Sequence, residues 1–188
     1  MEINLANIIF NRVESEYDES LYDWMSEEVS IKFLNGLKVS IRLDFDDQDL
    51  QDLRDGIEQT LLNSLALGNE ARDITKKHLY AYYKNFVFVA GEESLEEMPP
   101  QYDDSNILDY VHISSLSICC SQITKEFYCQ FTGGCDWEEE HGVLISFRNG
   151  VEIARVGGYG HVSNADAYAD ASMDNYVYYC GIIKTTAL

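Results

Sequence analysis

The segment Gly133-Gly-Cys-Asp-Trp-Glu-Glu-Glu-His-Gly142 crowds a thiol, an indole, an imidazole and four carboxylates into one short stretch. Carboxylate and imidazole are the groups most readily tuned towards neutral pKa for proton transfer. A hydrolytic reading makes Glu140 or Glu138 the base and His141 its partner. The usual spacing is missing, however. There is no His-Glu-x-x-His, and no second His stands at helical spacing from His141. A plainer reading is preferred: an acidic bend whose Trp137 packs on a sheet and whose His141 bonds to backbone. No catalytic residue is assigned.

Metal and nucleophile chemistry find no better footing. Cys119, Cys120, Cys129, Cys135 and His141 offer sulfur and nitrogen ligands, but not in paired Cys-x-x-Cys spacing. Adjacent residues of a strand point to opposite faces, so Cys119 and Cys120 do not converge on one ion. With Cys180 the cysteines number five, an odd count that suits reduced thiols in a cytoplasmic protein. Asp166, Asp170 and Asp174 recur every fourth residue, without the alternating ligands and central Gly of an EF-hand. They read as a solvated, alanine-rich acidic helix. A Gly-x-Ser-x-Gly elbow is absent, and Val156-Gly-Gly-Tyr-Gly160 lacks the lysine of a phosphate loop. His78 and His112 sit in apolar patterns and read as core or edge histidines. No metal and no cofactor is expected.

What remains is charge. The 188 residues include 13 Lys and Arg against 33 Asp and Glu, a formal net charge of −20. Phosphate neutralisation needs a basic surface, which argues against nucleic acid and anionic lipid as partners. Complementary charge speeds encounter and rejects wrong partners, so the natural partner is a basic protein. The carboxylates gather in two places. Glu92, Glu93, Glu96, Glu97, Asp103 and Asp104 surround Pro99-Pro100, and Asp136, Glu138, Glu139 and Glu140 fill the bend. Tyr102 and Trp137 lie among them as candidate anchors. These residues form the expected partner-binding set.

The elements that must hold these segments are read from periodicity. Ile3 to Val13 alternates imperfectly, and an acidic stretch runs from Glu14 to Glu28. Alternating runs between Val29 and Leu43 flank Asn35-Gly36, which predicts a type I′ hairpin. Asp44 to Asp49 starts a helix. Leu50, Leu53, Ile57, Leu61 and Leu65 give it an apolar stripe, and Gly68 ends it. A second helix runs from Asn69 to about Phe86, its stripe being Ala71, Ile74, His78 or Leu79, Tyr82, Tyr83 and Phe86. The short Gly68-Asn69 connection predicts an antiparallel helical hairpin. Phe86 to Val89 fits helix or strand. Residues 91–106 read as an exposed loop.

Ile107 to Cys120 and Phe127 to Phe131 have strand composition. Gly142 to Arg148 and Val151 to Val156 flank Asn149-Gly150, a second type I′ hairpin. Tyr176 to Ile183 reads as a final buried strand. The two Asn-Gly hairpins look alike, which convergence explains more simply than duplication. The expected fold is a single α+β domain, an antiparallel sheet with a helical hairpin packed on one face. Its parts are an N-terminal β-hairpin region (1–44), a helical hairpin (45–90), an acidic loop (91–106) and a C-terminal β region (107–188). Glu2 stands where a secretory leader would be basic, and Phe86 to Ala90 is too short to span a bilayer. A cytoplasmic location is expected.

The run Cys135-Asp-Trp-Glu-Glu-Glu-His-Gly-Val-Leu-Ile-Ser-Phe-Arg-Asn-Gly150, followed by Arg155-Val-Gly-Gly, resembles an uncharacterised bacterial domain family. Its members carry a Trp, acidic residues and Glu-His-Gly just before a terminal hairpin, and a similar helical hairpin before it. The likeness covers the C-terminal half well and the rest loosely. It implies no reaction and transfers no catalytic residue. Small acidic proteins of this kind look like immunity proteins, which protect bacteria from toxins delivered between competing cells. The resemblance implies a non-enzymatic protein that occludes the basic active site of a cognate toxin. The alternatives are a non-catalytic domain of another bacterial complex, and a hydrolase using Glu140 and His141.

Overall fold

The computed structural model describes residues 1–14, 22–95, 98–163, 166, 176–179 and 182–185. Five strands come first: β1 (Glu2–Leu5), β2 (Ile8–Glu14), β3 (Tyr22–Ser26), β4 (Val29–Ile31) and β5 (Leu37–Leu43). Three helices follow: α1 (Asp47–Asp52), α2 (Arg54–Ala66) and α3 (Asn69–Ala90). The chain then returns to β6 (Val111–Cys120), β7 (Phe127–Cys135), β8 (Val143–Arg148), β9 (Glu152–Gly157), β10 (Tyr176–Tyr179) and β11 (Ile182–Thr185). The sheet order is β1-β2-β3-β5-β6-β7-β8-β9-β10-β11, with β4 paired to β5 off this path.

The sheet is mixed, which corrects the antiparallel sheet expected from the sequence. β5 runs parallel to β6, with Ile41 opposite Leu116, and β9 runs parallel to β10, with Arg155 opposite Tyr176. Parallel neighbours need a crossover connection. The three helices supply it, leaving after β5 and returning the chain beside it at β6. Nor do α2 and α3 form the expected helical hairpin. Only Leu67 and Gly68 separate them, yet each spends its contacts on the sheet, α2 on β6 and β7, α3 on β9 and β10. The physical reason is the sheet's apolar face. Leu116, Ile118, Cys129, Phe131, Ile145 and Phe147 alternate onto it and share one buried core with Ile57, Leu61, Leu79 and Tyr82. Cys119, Tyr128 and Ala154 form a smaller cluster separate from that core. Cys119 and Cys120 thus part company as the strand pleat requires: Cys120 packs on the main core.

Local signals decide the helix boundaries. Asp46 caps α1, its Oδ1 accepting from the amides of Gln48 (2.9 Å) and Asp49 (2.8 Å). The ambiguous run from Phe86 to Val89 is helical, inside α3. Its buried face is turned slightly from the expected stripe: Thr75 is inside and Ile74 is exposed. Gly68 precedes α3 at φ −124°, so it is no left-handed stop.

The Asn-Gly hairpins differ. In the first, Ile31 pairs with Leu37, so residues 32–36 form the loop in place of a two-residue type I′ turn. A 3-10 turn at Lys32–Leu34 puts Phe33 into the core, edge-on to Phe131 (4.9 Å) and Phe147 (5.7 Å). Burying that ring costs the tight turn. The second is tighter but is also not a two-residue turn: Arg148 pairs with Glu152, so residues 149–151 form a three-residue loop. Asn149 and Gly150 have φ of 51° and 70°, and the Val151 amide donates to the Arg148 carbonyl at 3.0 Å. Its tip presses on α2. Asn63 Nδ2 donates to the Asn149 carbonyl (2.8 Å), and a Cβ at Gly150 would fall 2.4 Å from the Thr60 carbonyl.

The expected final strand is two strands, β10 and β11, antiparallel with Tyr179 opposite Ile182. Asp170, Asp174 and Cys180 lie outside the described residues, and so does the expected acidic helix. Among the described residues, no helix is long and apolar enough to cross a membrane.

Candidate functional site

The two acidic segments meet through α3. Tyr82 and Tyr83 are both on its buried side. Trp137 packs edge-on against both, with centroids 5.7 Å from Tyr82 and 6.0 Å from Tyr83. The Tyr82 hydroxyl donates to the Gly142 carbonyl at 3.1 Å and so ties down the end of the bend. The Tyr83 hydroxyl accepts from the Gln101 amide at 2.9 Å and so ties down the acidic loop. Two segments more than thirty residues apart in sequence hang from adjacent side chains of one helix.

The loop is better anchored than an exposed linker. Residues Glu92–Leu95 form a 3-10 turn, and Leu95 and Met98 are buried. Its polar positions stay outside. Glu92, Glu93 and Asp103 are exposed, Asp104 is half-buried, and Tyr102 is 88% exposed. The amide and hydroxyl of Ser105 both donate to Asp103 Oδ1, and these bonds hold its carboxyl below the usual carboxylate value. Glu96 and Glu97 lie outside the described residues.

The bend is built around one buried carboxylate. Glu138 is 5% exposed, and its Oε1 accepts from the amides of Glu140 (3.2 Å) and His141 (3.3 Å). His141 Nδ1 lies 3.3 Å from the same oxygen. The His141 ring thus meets a carboxylate, where a backbone bond was expected; it is the His141 carbonyl that accepts from the Tyr159 amide, at 2.8 Å. Cys135 Sγ lies 3.6 Å from the carbonyls of Glu138 and Gly142. Burial pushes its thiol up to about 12, so it is a neutral donor near pH 7. Asp136 Oδ1 is 2.6 Å from His112 Nε2 at the strand edge. Glu139 and Glu140 are exposed.

Two expected contact residues are therefore not contact residues in this conformation. Trp137 is 1% exposed and Glu138 5%. The indole fills the space between bend and α3, and the carboxylate satisfies amides of its own turn. The packed Trp137 of the plainer reading is thus found, but against Tyr82 and Tyr83 of α3 and not on a sheet; the burial of Glu138 was missed because its neighbours are acidic. Asp136, Glu139 and Glu140 remain as the outer carboxylates of the bend.

The other candidates fall into place around this site. His78 is 3% exposed, and burial pulls its pKa down to about 4, as fits a core histidine. Burial also pushes Cys119 up to about 12 and raises Cys129. Among the described residues, no group of three or more His, Cys, Asp or Glu is arranged to hold a metal ion. Among the described residues, neither Glu140 nor His141 lines the clefts at the α2–α3 junction, beside Asn35 and Arg72, or beside Gly56. That pair stands on an open turn.

Fold and site together define a mixed-sheet α/β protein in which crossover helix α3 anchors an acidic loop and an acidic bend. The chain belongs to the DUF6985 family, a domain of unknown function, whose family model matches residues 9–163. The match takes in the helices, the acidic loop and the bend, a wider span than the C-terminal likeness read from the sequence. No curated protein and no solved structure matches the chain.

Proposed function

We propose that this chain is a protein-binding inhibitor of the immunity type, which neutralises a basic bacterial toxin domain by covering it. The observation that carries this reading is the shared anchoring of the acidic loop and the bend on Tyr82 and Tyr83. It holds Asp103, Asp136, Glu139 and Glu140 on a framework fixed before the partner arrives, with Tyr102 as an exposed aromatic anchor. Preorganised carboxylates lose little entropy on binding, and a net charge of −20 steers a basic partner towards them. Trp137 and Glu138 act indirectly, by shaping the bend. No chemical step is assigned to the chain.

The test is affinity purification of the tagged protein from its own cells, with low- and then high-salt washes and mass spectrometry of what remains. One stoichiometric basic partner, toxic alone and harmless when co-expressed with this chain, is the expected result. A partner without toxicity, or no partner in toxin-expressing cells, overturns the reading.

A further inference from the structure

A groove of about 680 Å³ opens between the α2–α3 junction and the tip of the β8–β9 hairpin. Leu67, Ala71, Ile74, Phe147, Val151 and Ile153 supply its apolar walls. Val151 is 58% exposed and Ile74 41%, so apolar surface faces solvent at the rim. The charged residues of the lining are Glu70 and Glu152, with no Lys or Arg among them. Glu152 is shared with Arg148 at 3.2 Å. The walls are fixed in advance. Asn63 holds the Asn149 carbonyl, and Gly150 sits against α2 too closely to admit a side chain. A cleft of this size suits one or two side chains of an incoming segment.

We propose that this groove docks a segment of a basic protein in which one aliphatic or aromatic side chain is flanked by Lys or Arg. The apolar walls take the anchor, and Glu70 and Glu152 meet the flanking cations. Charge complementarity selects this occupant: an acidic segment would meet both glutamates and the field of a chain at −20. The proposal rests on the reading that the partner is a basic protein, and it adds a second contact made by residues outside the acidic bend.

The test pans a phage-displayed library of random linear peptides against the full chain at low salt. Two variants serve as controls, Ile74→Asp with Val151→Asp, and Glu70→Lys with Glu152→Lys, each checked for wild-type melting. All four positions are exposed, so the fold should persist. Enriched peptides should share an apolar residue beside Lys or Arg. Their binding should be lost on the first variant and fall about tenfold on the second. Peptides that lack this pattern, bind both variants like wild type, or fail to enrich overturn the groove. A toxic partner that binds both variants like wild type also sinks the groove and leaves the immunity reading standing. Absence of any toxic partner sinks that reading alone, since the peptides still decide the groove.

Discussion

Glu138 Oε1 accepts the His141 amide at 3.3 Å and stands 3.3 Å from the Nδ1 of the same residue. One buried carboxylate thus closes the bend from backbone and side chain at once. Removing it leaves the Glu140 and His141 amides without that acceptor. Glu138→Ala should cost about 1–3 kcal/mol in urea denaturation, the usual worth of hydrogen bonds accepted by a charged group. Glu140→Gln, on an exposed neighbour, should stay within about 0.5 kcal/mol of wild type. Equal stability of the two variants would contradict the structural role given to Glu138.

The acidic loop depends on the Tyr83 hydroxyl. Tyr83→Phe keeps the ring against Trp137 and deletes only the acceptor for the Gln101 amide. The expected cost is about 0.5–1.5 kcal/mol. Its location is the sharper readout. Amide hydrogen exchange at Gln101 should quicken in Tyr83→Phe while the Gly142 end of the bend, held by Tyr82, exchanges as before. A uniform change in both segments would mean they are not tied separately.

Thr75 is fully buried on α3, and among the described residues its hydroxyl has no hydrogen-bond partner. Valine has the same shape without the stranded polar group. Thr75→Val should therefore stabilise the protein by about 1 kcal/mol, read as a raised denaturation midpoint with unchanged slope. Destabilisation would show that the hydroxyl has a partner the fold depends on.

Local signals were legible and long-range ones were not. A capping Asp within Asp44 to Asp49 was visible because capping needs only the next three residues, and the structure makes it Asp46. Asn149-Gly150 was visible because the turn is set by its own φ values. The same dipeptide at Asn35-Gly36 misled, since Phe33 is drawn inward by Phe131 and Phe147, which come much later in the chain. Strand direction was hidden for a similar reason. An alternating run such as β5 has the same pattern whether β6 lies parallel or antiparallel, and Ile41 meets Leu116 across the whole helical crossover. At the site, Glu139, Glu140 and Tyr102 were readable as surface from their types. A packed Trp137 was also readable, but its partners Tyr82 and Tyr83 were not, because they lie on a helix more than fifty residues earlier.

His78 sets a pH dependence of definite sign. Burial lowers its pKa in the folded protein from 6.5 to about 4. The unfolded chain therefore binds this proton more readily, and its stabilising contribution is fully present above pH 6.5. That contribution is lost progressively as pH falls towards 4, where the folded protein also protonates. At 1.36 kcal/mol per unit, the full loss is about 3 kcal/mol. Asp44 works against it over part of the range, because burial raises its carboxyl above the usual value and acid then favours the folded state. The two separate by substitution. His78→Leu should flatten the fall in stability between pH 6.5 and 4, whatever it does to stability at pH 7.5. Asp44→Asn should steepen that fall. Parallel stability curves for wild type and His78→Leu across this window would show that the imidazole is not held neutral by its burial on the core face of α3.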